Sequence, residues 1–268
     1  MSKSATQEIV GHLSNGEFYT LAWSPTDDVL AIGGEHGIEI WDKDLQTILT
    51  RIDLDSVTSL SWNPNGIELV ALSGDIFANP VRKLIVWNTS TGEIVEILDN
   101  ERLFAAMEVN WSPDGSHLTT IGESYVIWET QTYQPIMELD KDGQHFSGGP
   151  GDPLSSWSPD GQKLAVVGND NVAANYVIQA WDVKSGELIG NLESPTAYLV
   201  TVGWSPNGNL IAAGGEDKMI HIWDANSGRI KQLLIGHTDS VSSVSWSPDS
   251  KKIASAGWDG TVRLWEIE

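Results

Sequence analysis

Twelve of the thirteen tryptophans in this chain fall into two series that alternate along its whole length. In the first series a tryptophan precedes Ser-Pro or Asn-Pro, at Trp23, Trp62, Trp111, Trp157, Trp204 and Trp246. In the second series a tryptophan precedes Asp, Glu or Asn, at Trp41, Trp87, Trp128, Trp181, Trp223 and Trp265. Because a motif that recurs about every 40 to 50 residues marks a repeat architecture, the chain is predicted to contain six copies of one unit.

Each unit divides into short runs typical of β-strands. In the last unit these runs are VSSVSW, KKIASAG and TVRLWEI, and a further run such as QTILTRI or EIVEIL lies between units. Val, Ile, Thr and Trp favour strands, whereas Pro and Gly stand between the runs and mark turns. No stretch shows the spacing of an amphipathic helix over a useful length. Six units of four strands, here labelled a to d, predict an all-β fold, a β-propeller of six antiparallel blades.

The sequence resembles the WD-repeat β-propellers, whose units run from Gly-His to Trp-Asp. The best copy runs from Gly236-His237 to Trp265-Glu266, and the next from Gly11-His12 to Trp41-Asp42. The resemblance implies a scaffold that binds other proteins. Many members have seven blades, so a seven-bladed ring is the alternative to six. A related class of propellers, often exported, carries Trp-Ser-Pro-Asp-Gly turns alone, and the Trp-Asp series argues against it.

The resemblance also implies a buried hydrogen-bonded network in each unit. In the sixth unit the matching residues are His237, Ser255, Asp259 and Trp265. Unit five keeps Asp217 and Trp223 without the histidine, and unit one has His12 but His36 at the aspartate position. A satisfied polar network in a core fixes geometry without chemistry, so a structural role is expected.

The last unit ends on its third strand, which leaves its outer edge without a partner. An unassigned run, Gln7-Glu8-Ile9-Val10, precedes the first Gly-His. If residues 7–10 supply the outer strand of the sixth blade, the ring closes and no inner edge is left to aggregate. The prediction is therefore one domain, residues 1–268, with six blades.

Charge and composition narrow the partners. The chain has 15 Lys and Arg against 37 Asp and Glu, a net charge of −22, which disfavours nucleic acid and anionic membranes and favours basic proteins or peptides. There is no cysteine, which excludes disulfides and thiolate chemistry. The first twelve residues lack the apolar core of a signal sequence, so we expect a cytoplasmic protein, and we expect a monomer.

The catalytic motifs of common enzyme classes are missing from the sequence. It contains no HExxH pair, no GxSxG elbow and no Walker-type loop, and the carboxylates stand mostly in turns. We therefore expect no catalytic residue, cofactor or metal. Two alternatives stay open: a small-ligand or metal-dependent enzyme site at the channel mouth, and a passive structural module of a larger assembly.

The lengths of the connections point to one end of the ring as the binding face. The a–b and c–d turns are short, and the excess length lies in residues 73–82, 98–106, 140–155 and 168–176 at the opposite end, formed by the b–c turns and the d–a connections. Elaborated loops on a minimal scaffold are typical of recognition. The predicted contact residues on this face are Phe77, Phe104, Phe146, Tyr176, Tyr198, Lys218, Glu35, His36 and Trp258.

Overall fold

The computed structural model describes residues 17–74, 81–122, 125–139, 154–169, 176–193 and 198–267, apart from the side chains of three strand-end residues, Val81, Asn169 and Tyr176. Within these ranges every regular element is a β-strand, and the 23 strands form six antiparallel sheets. Six consecutive sheets of this kind confirm the predicted fold class and the blade number, a six-bladed β-propeller.

Blades one to three each contain four strands, paired in their order along the chain. Blade one consists of β1 (Phe18–Trp23), β2 (Val29–Gly34), β3 (Gly37–Asp42) and β4 (Ile48–Asp53). Blade two consists of β5 (Val57–Trp62), β6 (Glu68–Ser73), β7 (Val81–Asn88) and β8 (Glu93–Phe104). Blade three consists of β9 (Glu108–Trp111), β10 (His117–Ile121), β11 (Tyr125–Glu129) and β12 (Pro135–Glu138).

Blades four and five follow the same plan, and blade six shows three strands among the described residues. Blade four consists of β13 (Ser155–Trp157), β14 (Lys163–Asn169), β15 (Tyr176–Asp182) and β16 (Leu188–Glu193). Blade five consists of β17 (Leu199–Trp204), β18 (Leu210–Gly215), β19 (Met219–Asp224) and β20 (Ile230–Ile235). Blade six consists of β21 (Val241–Trp246), β22 (Lys252–Gly257) and β23 (Val262–Glu266).

The two tryptophan series meet in one row across each blade. In blade two, Trp62 pairs with Leu69 on the next strand, and Leu69 pairs in turn with Trp87. The other five blades repeat this arrangement with Leu or Ile in the middle. Directly opposed residues of neighbouring strands project to the same face of a sheet. Every blade therefore presents a Trp-aliphatic-Trp row on one face.

The row of one blade packs against the preceding blade. Trp62, Leu69 and Trp87 of blade two are buried in a cluster with Ile38 and Ile40 of blade one. The rows of blades three, four and five are buried in the same manner. Large aromatic side chains contribute much apolar area to a core. The tryptophan repeat is thus the feature that stacks the blades.

Hydroxyl groups on the innermost strands connect neighbouring blades. Ser61 Oγ accepts a hydrogen bond from the backbone N–H of Trp111 at 3.0 Å, and Ser156 Oγ accepts one from the N–H of Trp204 at 2.9 Å. Because a buried N–H group needs an acceptor, these hydroxyls replace the ladder partner that the inner edge of each blade lacks. Small polar residues on the first strands therefore have a structural role.

The a–b turns span five residues in every blade. In blade four, Ser158 Oγ donates a hydrogen bond to Asp160 Oδ1 at 2.6 Å, and the same oxygen accepts one from the N–H of Gln162 at 3.1 Å. These bonds hold the pKa of Asp160 below its usual range. Gly161 takes a left-handed φ of 68°, which glycine adopts without strain. This end of the ring is therefore a set of tight turns whose polar groups are satisfied internally.

The sheet faces of blades six and one that meet where the ring closes are less buried than the matching faces of the other blades. Trp23 of blade one is 54% exposed, whereas the matching tryptophans of blades two to five are buried. Val262 and Leu264 of blade six are exposed as well. The predicted closing strand, residues 7–10, lies outside the described residues, so its pairing with β23 stays a prediction.

We predict that deleting residues 1–10 destabilises the fold. In blade five, Leu234 stands two residues before Gly236 and pairs with Ile220. Ile9 stands two residues before Gly11 and is accordingly expected opposite Val262. Burying two such side chains is worth about 3 kcal/mol or more, so the melting temperature should fall by about 5 °C or more in thermal unfolding followed by circular dichroism. Ile9→Asp should act likewise and Ser4→Asp should not; a truncated chain that melts like the intact chain would show that this closure is wrong.

Candidate functional site

The described strand bounds place the long connections at one end of the ring. The c–d turns have four or five residues: 43–47, 89–92, 130–134, 183–187 and 225–229. At the other end the b–c turns reach seven residues at 74–80 and six at 170–175, and the d–a connection from blade three to blade four spans 139–154. We call this end the b–c/d–a face. Length thus varies by at most one residue among the turns at the a–b/c–d end and by much more on the face that the sequence singled out.

The prediction that residues 98–106 form one of the four loop insertions is wrong. In the structure β8 continues to Phe104, which pairs with Val81, and Asp99 pairs with Lys83. Only residues 105–107 connect β8 to β9. Polar residues such as Asp99 and Arg102 suggested a loop, but on the outermost strand of a blade they face solvent while the backbone still pairs inward.

Two predicted contact residues, Trp258 and Lys218, lie in neighbouring b–c turns of the face, above blades six and five. The Trp258 side chain is 78% exposed, and its backbone N–H donates to the carbonyl of Ser240 at 2.9 Å. Lys218 Nζ donates to the carbonyl of Thr238 at 3.0 Å. Both turns are therefore anchored on the same d–a connection. A held backbone with a solvent-exposed indole is the arrangement that a contact residue requires.

Glu35 and His36 lie together at a second corner, above blade one. They form the whole two-residue turn between β2 and β3, and both side chains are exposed. They line a cavity of about 200 Å³ together with Glu17, Phe18 and Asp53, among others. These four predicted contact residues thus fall into two separate groups, Glu35 and His36 over blade one and Lys218 and Trp258 over blades five and six.

The remaining predicted contact residues are placed only in part. Tyr198 is half-buried, and its carbonyl accepts a hydrogen bond from the N–H of Glu216 at 2.9 Å. Phe104 ends β8 and is partly exposed. Phe77 and Phe146 lie outside the described residues, as does the side chain of Tyr176, the first residue of β15. The contact roles of Phe77, Phe146 and Tyr176 therefore stay predictions.

The structure brings the four network residues of blade six together. His237 Nδ1 lies 2.9 Å from Asp259 Oδ2, and His237 Nε2 lies 2.8 Å from Ser255 Oγ. The indole N–H of Trp265 donates to the same Ser255 Oγ at 2.8 Å. Hydrogen bonds from the Thr261 hydroxyl and the Thr238 N–H, with the nearby His237, hold the pKa of Asp259 far below its usual range. The carboxylate therefore stays ionised and fixes the b–c turn to the preceding d–a connection.

The order Asp259, His237, Ser255 is that of a Ser-His-Asp catalytic triad. Ser255, however, is only 2% exposed, and its oxygen already accepts the indole N–H of Trp265. A substrate carbonyl cannot approach a hydroxyl that is enclosed in this way. The arrangement in blade six therefore positions Trp265 and has no access for nucleophilic chemistry.

Blade five contains a second histidine network that the sequence reading missed. His221 Nε2 lies 2.7 Å from Asp217 Oδ2, and the imidazole stacks on Trp223 with ring centroids 5.5 Å apart. His221 is buried on β19, two residues before the tryptophan, instead of in the d–a connection. The sequence signal that could have revealed it is the position of His221, two residues before Trp223 on the same strand. Asp217 therefore has a histidine partner, supplied from another element.

A buried carboxyl group lies between blades three and four. Glu108, on the innermost strand β9, is 6% exposed, and its Oε1 accepts a hydrogen bond from Asn110 Nδ2 at 2.8 Å. Burial raises the pKa of Glu108 from an ordinary value of 4.5 to about 8, and hydrogen bonds from Ser155 and Asn110 offset only part of this shift. At neutral pH the group is therefore mostly protonated. Its titration couples the stability of this blade contact to pH.

Within the described ranges, no group of three or more His, Asp or Glu side chains is placed to hold a metal ion. The alternative of a metal-dependent site at the channel mouth thus finds no donor set among those side chains. The same part of the chain contains no helix long and apolar enough to cross a lipid bilayer.

The comparison with protein families finds one matching description, WD domain, G-beta repeat. It matches residues 3–42, 186–224 and 228–266. The last two segments end at the Trp-Asp and Trp-Glu dipeptides of blades five and six, and the first ends at that of blade one. These matches and the six observed blades together confirm the resemblance seen in the sequence.

Several curated proteins are similar at low identity. Protein HIR1 of Kluyveromyces lactis is 26% identical over 244 residues, covering 74% of this chain and 26% of the relative. Protein hir-1 of Neurospora crassa is 25% identical over 245 residues, covering 76% and 23%. Cell division cycle 20.1, cofactor of APC complex, of Arabidopsis thaliana is 24% identical over 166 residues, covering 61% and 32%. The chain thus spans about a quarter to a third of the length of these relatives.

We predict that Glu108 makes the protein less stable as the pH rises from about 5 to 8. The unfolded chain loses the proton near pH 4.5 while the folded chain keeps it until about pH 8, so unfolding is favoured across this window by at most about 1.4 kcal/mol per pH unit. Glu108→Gln should remove this slope in urea unfolding measured at several pH values. Glu193→Gln, an exposed strand-end control, should keep it; an unchanged slope in Glu108→Gln would contradict the assignment.

Proposed function

We propose that this chain, a WD-repeat β-propeller of six blades, is a non-catalytic scaffold that binds other proteins through its b–c/d–a face. The observation that carries the proposal is the one-sided length variation: every a–b turn has five residues, while connections on the opposite face range from two residues at 35–36 to 16 at 139–154. Drift alone would lengthen turns at both ends. Elaboration confined to one face supports its use in recognition.

Trp258 is the residue on which we base the binding site. A tryptophan that is 78% exposed contributes little to the core, and its large apolar surface is costly to leave in water. Exposed aromatic side chains on a fixed backbone are typical anchors of protein interfaces, since they bury much area with little loss of conformational entropy. The hydrogen bond from the Trp258 N–H to Ser240 supplies the fixed backbone.

Charge favours a basic partner. The net charge of −22 gives the whole molecule a negative field that attracts basic proteins and repels acidic ones. Glu35, Glu216 and Asp239 are exposed on the b–c/d–a face. Association should accordingly be faster at low ionic strength, because salt screens such interactions.

The relatives support a role in assemblies. The Arabidopsis relative is named as a cofactor of a complex, which fits a propeller whose activity is to bring proteins together. The similarity covers 61% of this chain for the Arabidopsis relative and 74% for the Kluyveromyces HIR1 protein, and about a quarter to a third of the relatives' length. We therefore transfer the scaffold role to this chain and leave the identity of the partner open.

Trp258→Ala is predicted to weaken binding of the native partner by about ten- to thirty-fold with little loss of stability, because the side chain is 78% exposed and contributes little to the core. Phe146→Ala should weaken binding as well if the connection 139–154 belongs to the same face. Affinity capture from the source cell identifies the partner, and titration calorimetry with the purified partner measures the change.

The matched control is Ile67→Ala. Ile67 is an exposed apolar residue in an a–b turn, at the opposite end of the ring, so its loss should leave binding unchanged. Equal affinities for the intact chain, Trp258→Ala and Phe146→Ala would refute the assignment of the face. Weaker binding in Ile67→Ala alone would move the site to the other end.

A further inference from the structure

A groove between blades one and two exposes apolar side chains along the side of the ring, from Asp53 at the b–c/d–a face towards Ile94, which follows the c–d turn 89–92. It has a volume of about 510 Å³ and is lined by Leu54 of the d–a connection, Ile85 of β7, and Ile94 and Ile97 of β8, with Asp53, Asp55 and Lys83 at its rim. Ile94 and Ile97 are each 49% exposed. In the described part of the chain nothing covers these two isoleucines, although they face the same groove.

The groove differs from the comparable space between blades four and five. That space, of about 330 Å³, is lined by Asn191, Glu193, Trp223, Gly228 and Ile230. Asn191 pairs with Gln179, two residues before the blade tryptophan, and Ile97 pairs with Ile85 at the same distance from its tryptophan. Equivalent positions thus carry amides in blade four and isoleucines in blade two. Blade five also has half-exposed apolar residues, Ile230 and Leu233, at the positions of Ile94 and Ile97. What distinguishes the blade one–two groove is its acidic lining, with two carboxylates, Asp53 and Asp55, where the other space has Glu193.

Asp53 joins this groove to the cavity above blade one. It lines both, at the point where β4 ends on the face. The two spaces together carry five carboxylates against two cations, and one of the cations, Arg51, is paired with Glu39 at 3.1 Å. The result is a trough with an acidic end over blade one and an apolar end between blades one and two.

We propose that this trough binds an extended basic segment of the partner that carries one aliphatic or aromatic anchor. Lys or Arg residues of the segment lie over Glu17, Glu35 and Asp53, and the anchor inserts between Ile94 and Ile97. The outer edge of β8, the last strand of blade two, offers backbone N–H and C=O groups to an extended chain beside the groove. The inference rests on the proposed function, since it assigns a ligand chemistry to the acidic end of the trough, which lies on the b–c/d–a face.

Two features favour a peptide of this kind over a second copy of this chain. A second copy carries a net charge of −22 and would place carboxylates against carboxylates at the acidic end. A basic segment neutralises these carboxylates, and its anchor removes the two half-exposed isoleucines from water. A single ligand that fills both the acidic end and the apolar end of the trough therefore needs positive charge and an apolar side chain.

The test uses the full chain and a fluorescent ten-residue peptide with three lysines followed by a central leucine. Fluorescence anisotropy measures its affinity, next to peptides in which the leucine is Asp or the lysines are Glu. We expect binding of the first peptide and at least tenfold weaker binding of the other two, because each loses one of the two contacts. No binding of the first peptide at millimolar concentration of the chain would overturn the proposal.

Ile94→Asp in the chain should weaken binding of the first peptide about tenfold or more. The matched control is Leu188→Asp, because Leu188 is 43% exposed and pairs with Trp181 of blade four as Ile94 pairs with Trp87 of blade two. Leu188→Asp should bind as the intact chain does. Equal losses in both variants would show a nonspecific charge effect and overturn the groove assignment.

The failure of this inference is distinguishable from failure of the proposed function. If Trp258→Ala weakens binding of the native partner and Ile94→Asp does not, the partner binds the face but not the trough. This result would overturn the inference alone. Stronger peptide binding by a chain that lacks residues 1–12 would mean that the chain's own N-terminal segment occupies the trough, and it would also overturn the inference. Loss of native partner binding in Ile94→Asp but not in Leu188→Asp supports it.

Discussion

The Trp-aliphatic-Trp row is the constraint on which the rest of the propeller depends. In every blade the first-strand tryptophan and its aliphatic partner are the pair nearest the a–b turn, as Trp62 and Leu69 are in blade two. The N–H of the residue that follows the tryptophan donates to the carbonyl of the first residue of the next strand, for example Asn63 to Glu68 at 2.8 Å. A longer turn would loosen the bond that holds the tryptophan in its row. The a–b end therefore keeps one length, and variation in length collects at the other end.

The second dependence is on the hydroxyl groups between inner strands, and Glu108 shows what happens when one is replaced. Three residues before the first-strand tryptophan, blade two has Ser59, which accepts the N–H of Val109, and blade five has Thr201, which accepts the N–H of Val244. Glu108 holds this position in blade three. A neutral carboxyl can serve as the hydrogen-bonding group there, whereas a buried carboxylate is costly. Because burial disfavours the charged form, it raises the pKa of Glu108.

The sequence predicted the features that the tryptophan repeat determines. It missed features that depend on how neighbouring strands and side chains are placed in the fold. Blade number and strand plan follow from motifs whose spacing is fixed by the row, and the Asp259 network follows from the resemblance to the WD-repeat propellers. The strand through Asp99 was missed because an outer-edge strand needs no apolar alternation and reads as a loop. His221 was missed because the imidazole that binds Asp217 comes from a strand and not from the usual connection. The exposed Trp258 could be predicted because it is the one tryptophan outside both series.

The negative charge of the chain also solves a problem that the fold creates. Among the described residues, blades one to five each end in an outer strand with one unpaired edge, and several of these strands expose apolar residues such as Ile94, Leu188 and Ile235. Exposed apolar edges invite pairing between copies. A net charge of −22 opposes such contacts by mutual repulsion. The same field that keeps copies apart concentrates cations at the surface, so a ligand that reaches an apolar groove on this molecule has to bring positive charge with it.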